Sequence, residues 1–370
     1  MQEKRINVTK SSMPPFEEYC KEIEELWESR WLSNRGSKSV ELEEMIKDYL
    51  GVEETYLFAN GHVAMEVALN SLYLEGEVIT TPFTHVSTTH AIVRNGLKPI
   101  FVDIEEDNFC IDPKKVEEVI TEKTVAIVAT HVYGFLCDIE SLQRIADKYN
   151  LYLIFDAAHA FGVELNGIGS GNFGDISMFS THATKVFHTI EGGIITYKST
   201  LENKLSGMKE IVNFGFRGQE DAVHVGTNAR MNEFEAAMGI CNLRHIDDEI
   251  LKRKKVAECY YKRLSNIDGV SIPKPQKGLK WNYAYFPVIF DPNIMSRDKV
   301  KDELEKNNIY ARKYFYPLTT KVSVYFNEYG DQKFPVAEKI ADRVLTLPLY
   351  SDMTEMEVNK VCDIILELLK

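Results

Sequence analysis

Lys185 closes the stretch Phe179-Ser180-Thr181-His182-Ala183-Thr184-Lys185, just after the strand-like run Ile176-Ser177-Met178-Phe179 and shortly before Glu191-Gly192-Gly193 and a second apolar run. Small and hydroxylated neighbours, with Phe179, Val186 and Phe187 nearby, are not the usual setting of a surface lysine. An amine is nucleophilic only when deprotonated, and the pKa of lysine falls on partial burial or beside another cation. The pattern therefore describes a positioned amine in a closed, mostly apolar site. Asp156 offers a complementary group. It ends Leu151-Tyr152-Leu153-Ile154-Phe155, which reads as a buried parallel strand, and ligands of open α/β sheets bind at the carboxyl ends of strands. A third feature suits an anion: Thr55-Tyr56-Leu57-Phe58-Ala59 reads as a strand that breaks at Asn60-Gly61 into an apolar helix from Val63 to Leu74. Free backbone N–H groups and the dipole of such a helix start converge on one place, so Gly61 and His62 are candidates to hold a phosphate.

These groups need elements to hold them. Helical spacing over Phe16–Arg30 and Val40–Leu50 predicts two leading helices, the second stopped by Gly51. From Val78 the pattern alternates: strand to Thr81, helix from Thr84 to Asn95, strand Pro99–Asp103, helix Pro113–Ile120, strand Val125–Ala129, helix Ile139–Tyr149, strand Leu151–Phe155. Such a run of βα units predicts an α/β fold with a mostly parallel sheet, right-handed crossovers and helices on both faces. After Lys185 come a strand at Ile194–Tyr197 and a helix over Leu201–Val212. A long helix from about Asn232 to Ile267 leads into a smaller α+β domain with a strand at Tyr283–Phe290, a helix at Val300–Lys306 and two closing helices. The expected division is a large domain at 1–245 and a small one at 246–370.

The 370 residues exceed what one core usually serves, and 44% hydrophobic with 27% charged residues is ordinary globular composition. With 43 basic against 56 acidic residues the net charge is −13, which argues against a nucleic-acid or anionic-membrane surface. The densest basic cluster, Lys252-Arg253-Lys254-Lys255, reads as the solvated face of a helix. Met1-Gln2-Glu3-Lys4-Arg5-Ile6 lacks the apolar core of a leader and no apolar run reaches spanning length, so a cytoplasmic protein is expected. Six scattered cysteines read as reduced thiols, and neither His85 with His90 nor His182 with His188 has metal-ligand spacing.

The Lys185 and Asp156 motifs together resemble the site of pyridoxal-phosphate enzymes, in which a lysine forms a Schiff base with the cofactor and a carboxylate faces the pyridine nitrogen. Nearly the whole chain resembles the DegT/DnrJ-type aminotransferases. The likeness runs from Trp31-Leu32-Ser33-Asn34-Arg35-Gly36 through Thr130-His131-Val132-Tyr133-Gly134 to Gly226-Thr227-Asn228-Ala229-Arg230-Met231-Asn232-Glu233. It continues through Arg312-Lys313-Tyr314-Phe315-Tyr316-Pro317-Leu318 to Leu345-Thr346-Leu347-Pro348-Leu349. The resemblance implies fold-type I architecture and amino transfer to nucleotide-linked keto-sugars.

It also implies roles. Lys185 is the Schiff-base lysine and general base, Asp156 the pyridinium partner, His159 the residue near the phenolic oxygen, and Ser180 a phosphate ligand. Asn228 would reach a cofactor phosphate from the neighbouring subunit, with Arg230 nearby for substrate, so that the active sites of a homodimer are shared. Tyr316 is a further candidate for substrate contact, His188 is a candidate for packing or substrate contact, and Glu191-Gly192-Gly193 would shape the backbone behind the lysine. Relatives commonly have Thr or Ser where this chain has His62 and Val63, and an aromatic residue stacking on the cofactor where it has His85; an imidazole can stack, and a backbone amide needs no particular side chain. One branch of the family carries histidine at the lysine position and dehydrates; Lys185 implies transamination. The motifs look most like the branch that makes dTDP-4-amino-4,6-dideoxyglucose from L-glutamate and a dTDP-linked 4-keto-6-deoxyhexose for surface polysaccharide. Amination at C3 of a 3-keto isomer is the alternative, and a non-catalytic binding protein on the same fold is the reading from another class.

Overall fold

The computed structural model of the chain describes residues 5–369. Met1 to Lys4 of the N-terminal stretch, and Lys370 at the end of the expected small domain, lie outside them. Helices α1 (Phe16–Ser29) and α2 (Ser37–Leu50) lead, followed by β1 (Glu54–Phe58), α3 (Gly61–Ser71), β2 (Glu77–Thr80), α4 (Val86–Arg94), β3 (Lys98–Phe101), α5 (Pro113–Glu118), β4 (Thr124–Thr130), α6 (Ile139–Tyr149) and β5 (Tyr152–Asp156). A two-residue hairpin, β6 (Glu164–Leu165) and β7 (Ile168–Gly169), precedes β8 (Ile176–Ser180) and β9 (Gly193–Tyr197). Seven of these strands form one sheet in the order β1-β9-β8-β5-β4-β2-β3. Its centre is parallel, and β9 alone runs against its neighbours β8 and β1.

Successive side chains of a strand point to opposite faces, and here both faces are covered. Ile127 and Leu153 bury with Leu142 and Ile145 of α6, whereas their chain neighbours Val128 and Ile154 bury with Met65 and Ala68 of α3. That is why these strands read as unbroken apolar runs. Asp156 stands in register with Thr130 on one side and Met178 on the other, so three carboxyl ends open at one level.

Beyond β9 the expected helix over Leu201–Val212 is replaced by turns and the single-turn α7 (Met208–Ile211). Leu201, Leu205, Met208 and Ile211 are buried, so the apolar spacing is real. Gly207 interrupts it, where a Cβ would meet the Tyr73 hydroxyl at 2.9 Å. The hairpin β10 (Phe216–Arg217) and β11 (Asp221–Ala222) then leads to α8 (Glu233–Leu264). The division expected between residues 245 and 246 falls inside α8. The far half of this helix joins a separate core of Val256, Tyr260 and Leu264 with β14 (Phe286–Phe290), β15 (Val344–Leu347), α9 (Arg297–Lys306) and α12 (Glu355–Leu368), after two short strands, β12 (Val270–Ser271) and β13 (Leu279–Lys280). Strands β12, β14 and β15 form a three-stranded antiparallel sheet, and α10 (Ser323–Tyr329) and α11 (Pro335–Arg343) fill the chain before β15.

Three further expectations are corrected. Strand β14 starts at Phe286 rather than Tyr283, because Tyr283 is left-handed at φ 53° and Asn282 is turned to bond the carbonyls of His159 and Phe161. The closing segment holds three helices and a strand rather than two helices. Within the basic cluster Arg253 is buried on α8, while Lys252, Lys254 and Lys255 are exposed. All six cysteines are free, and among the described residues no helix is long and apolar enough to cross a membrane.

Candidate active site

A cavity of about 340 Å³ opens at the carboxyl ends of β4, β5 and β8, and Lys185, Asp156, His159, Ser180, Gly61, His62 and His85 all line it. Sequence positions far apart are brought together there by the parallel sheet.

Lys185 sits on a loop that closes on itself. The Thr181 amide donates to Gly192 O at 2.9 Å, the Thr189 amide to Thr181 O at 2.9 Å, and the two threonine hydroxyls meet at 2.6 Å. Gly192 is required: a Cβ there would stand 2.1 Å from the Thr189 hydroxyl and 2.3 Å from that of Thr181. Inside this loop the Lys185 amide bonds His182 O at 2.8 Å, a tight turn that aims the side chain at the cavity.

Asp156 is 4% exposed and has no cationic partner among the described residues. Its carboxylate accepts from the Thr88 hydroxyl at 2.6 Å and the Ala158 amide at 3.1 Å. Thr88 is the first residue of α4 to be buried here, and its hydroxyl continues through Thr84 at 3.2 Å to Thr130 at 2.8 Å. His159 Nδ1 accepts from the Tyr133 amide at 3.2 Å, which leaves the ring proton on Nε2. Burial, reinforced by the positive charge of Lys185, pushes its pKa well below the ordinary histidine value, so the imidazole is neutral. His85 caps α4 through its own ring, accepting from the Ser87 amide at 3.2 Å; desolvation lowers its pKa against the pull of Asp156.

The anion site is a helix start. The Asn60 side chain caps α3 by accepting from the Val63 amide at 2.9 Å, and the amides of Gly61 and His62 have no partner within the helix. Helix α3 approaches β8 so closely that a Cβ on Gly61 would lie 2.9 Å from Ser180 Cβ. His62 is steadied by Ser87 at 3.0 Å.

Residues 16–366 match the model of the DegT/DnrJ/EryC1/StrS aminotransferase family. The chain belongs to this family. It is 40% identical over 371 residues to the dTDP-4-amino-4,6-dideoxy-D-glucose transaminase of Escherichia coli, covering 99% of each protein. It is 40% identical to the enzyme of that name from Shigella dysenteriae, covering 95% of this chain and 96% of that one. The solved structure of DesI, in the presence of its TDP-sugar product, superposes with a TM-score of 0.94 at 29% identity, covering 100% of this chain and 94% of that one.

Aminotransferases of the DegT family depend on pyridoxal 5′-phosphate, and this chain is a sugar aminotransferase that uses it. The site fits the cofactor. An amine, a buried carboxylate with a supporting hydroxyl, a neutral imidazole donor and a helix start pressed against Ser180 match its aldehyde, ring nitrogen, phenolic oxygen and phosphate in kind.

Other expectations fall elsewhere. Asn228 and Arg230 lie outside this cavity: Arg230 bonds Asn228 at 2.9 and 3.1 Å and Asn213 at 2.7 Å and also reaches Asn34. His188 is 1% exposed and lies outside the cavity lining, so of its two readings the structure matches packing and not substrate contact, its Nε2 donating to Ser12 O at 2.6 Å beside Asn242. Tyr316 also leaves the cavity, with its ring under the Arg297 and Lys313 cations at 4.9 and 5.3 Å. In its place Arg312, Tyr314 and Phe315 line the wall, together with His182, Glu191 and Thr130. Neither Thr88 nor Arg312 was singled out as a site residue; Thr88 carried no signal beyond its place at a helix start, and Arg312 was visible only inside a family motif.

Proposed function

We propose that the chain moves an amino group from L-glutamate to the 4-keto carbon of dTDP-4-keto-6-deoxyglucose, giving dTDP-4-amino-4,6-dideoxyglucose for surface polysaccharide such as O-antigen. The observation that carries this reading is the convergence of Lys185 with Asp156 and the α3 start in one cavity of a chain 40% identical, end to end, to transaminases of that product.

Bound there, pyridoxal phosphate supplies the electron sink that lets an amino group leave one carbon and join another. The residues do the rest. Lys185 would hold the cofactor and would move the proton at the reacting carbon. Asp156, which accepts from the hydroxyl of Thr88 and the amide of Ala158, would face the ring nitrogen and favour its protonated form. His159 would donate from Nε2 to the phenolic oxygen, His85 would stack on the ring, and the amides of Gly61 and His62 with Ser180 would hold the phosphate.

Asn228 and Arg230 serve the site of a second subunit, so the working form is a homodimer. Exposed apolar residues support this: Phe214, whose ring lies against the Arg230 guanidinium at 5.1 Å, and Trp27, Trp31 and Val225, the last 96% exposed, would be covered by a partner. Residues 1–245 and 246–370 act as two domains, and a nucleotide-sugar substrate supports a cytoplasmic enzyme without a nucleic-acid or membrane partner. The test is release of 2-oxoglutarate by the loaded protein from glutamate and dTDP-4-keto-6-deoxyglucose. Sustained release that depends on the sugar is expected, with none from Lys185→Ala; release of no more than one equivalent per subunit with the sugar present would exclude it as acceptor.

A further inference from the structure

We propose that Arg312 is the residue that holds the α-carboxylate of the amino donor. The inference rests on the amino-acid donor of the preceding section. Arg312 is pinned by its backbone, which exchanges hydrogen bonds with Thr346 of β15 at 3.1 and 2.9 Å, and the Thr346 hydroxyl donates to its carbonyl at 3.0 Å. Its side chain leaves this anchor for the cavity wall, where it lies beside Tyr314 and Phe315.

The guanidinium rests over the Tyr314 ring at 4.4 Å and has neither an acidic partner nor a hydrogen-bond acceptor among the described residues. Other arginines are engaged: Arg297 bonds the carbonyls of Ala341 and Val344, Arg35 meets Glu43, and Arg94 meets Glu66. The acids of the cavity are occupied as well, Asp156 by Thr88 and Ala158, and Glu191 by His182 at 3.5 Å. Arg312 is therefore a cation facing the site with its fork of donors free. Lys185 and Tyr314 line the same cavity as Arg312.

The chemistry of the two substrates separates their needs. In an amino acid the carboxylate is bonded to the carbon that carries the amine, so whatever reads it must stand beside Lys185. In a nucleotide-linked keto-sugar the reacting carbon is neutral on all sides, and the negative charge lies across the hexose on the diphosphate. A planar guanidinium near the lysine matches the first arrangement, because it meets a carboxylate through two parallel hydrogen bonds. When the sugar occupies the same place, the guanidinium keeps its stack on Tyr314.

The test separates the half-reactions in Arg312→Gln and Arg312→Lys, each loaded with cofactor. For Arg312→Gln the KM for glutamate in the first half-reaction and the calorimetric Kd of 2-oxoglutarate should both rise about 10- to 100-fold, the loss expected for a charge-assisted pair. Amine transfer from the amine-loaded variant to the sugar should stay within about twofold, and Arg312→Lys should recover part of the donor affinity. Unchanged donor affinity overturns the proposal, as does an equal fall in both half-reactions, which marks a structural role. A fall in the sugar step alone would also overturn it and would assign the guanidinium to the nucleotide diphosphate. Wild-type protein that takes the amine from glutamate and passes it to no sugar would defeat the proposed function and leave this inference standing.

Discussion

Asp156 gains its proposed role from what surrounds it. A carboxylate that accepts two hydrogen bonds and has no ion-pair partner among the described residues is an acceptor held for a ring N–H. Asp156→Asn should therefore retain cofactor and lose turnover by at least about 100-fold, the scale of a displaced catalytic proton. Thr88→Val should cost less, about tenfold, through a loosened carboxylate. Steady-state rates on loaded protein check both, and near-wild-type Asp156→Asn would remove the aspartate from its role. Lys185, Asp156 and the Gly61 turn were legible because each joins a chemical residue type to an element end. His188 was not: nothing in its spacing distinguishes an imidazole facing substrate from one bonded to the Ser12 carbonyl, since the partner lies far away in the chain. Arg312 escaped for the same reason, being placed by a bridge to Thr346 that no local pattern encodes.

At the level of elements, the βα alternation was readable because strands covered on both faces are continuous apolar runs, whereas short edge strands and the turns around Gly207 carry no such period. Helix α2 shows how a distant residue sets an element's start. Its expected beginning at Val40 moves to Ser37 because Glu233, fully buried at the start of α8, accepts from the amides of Gly36, Lys38 and Ser39 at 3.0, 2.8 and 3.3 Å and from the Ser39 hydroxyl. One carboxylate thus serves as the cap of another helix. Glu233→Ala leaves these donors buried and unpaired, and should lower stability by about 2–4 kcal/mol. Urea unfolding of the variant tests this, and a loss under about 0.5 kcal/mol would show that water replaces the cap.

Taken whole, the molecule stores several neutral histidines, and stability should depend on pH accordingly. Burial lowers the pKa of His131 to about 3, and lowers those of His159 and His188. The unfolded chain protonates each near pH 6.5 while the folded chain does not, so below about pH 6.5 the unfolded state binds more protons and stability falls, by up to about 1.4 kcal/mol per pH unit for each histidine. Glu43, Glu105 and Glu235, raised by burial, act in the opposite sense and reduce the slope. His131→Gln should flatten the dependence between pH 6.5 and 5 by one histidine's share; an unchanged slope would contradict a neutral His131. The central claim, amination at C4 by a site built on Lys185, is tested most directly by giving the loaded protein glutamate with the 3-keto or the 4-keto isomer of a dTDP-6-deoxyhexose and reading the amine position of the product by NMR. Amine at C4 from the 4-keto isomer is predicted. Amine formed only at C3 would contradict the substrate assignment and leave the roles of Lys185 and Asp156 in place.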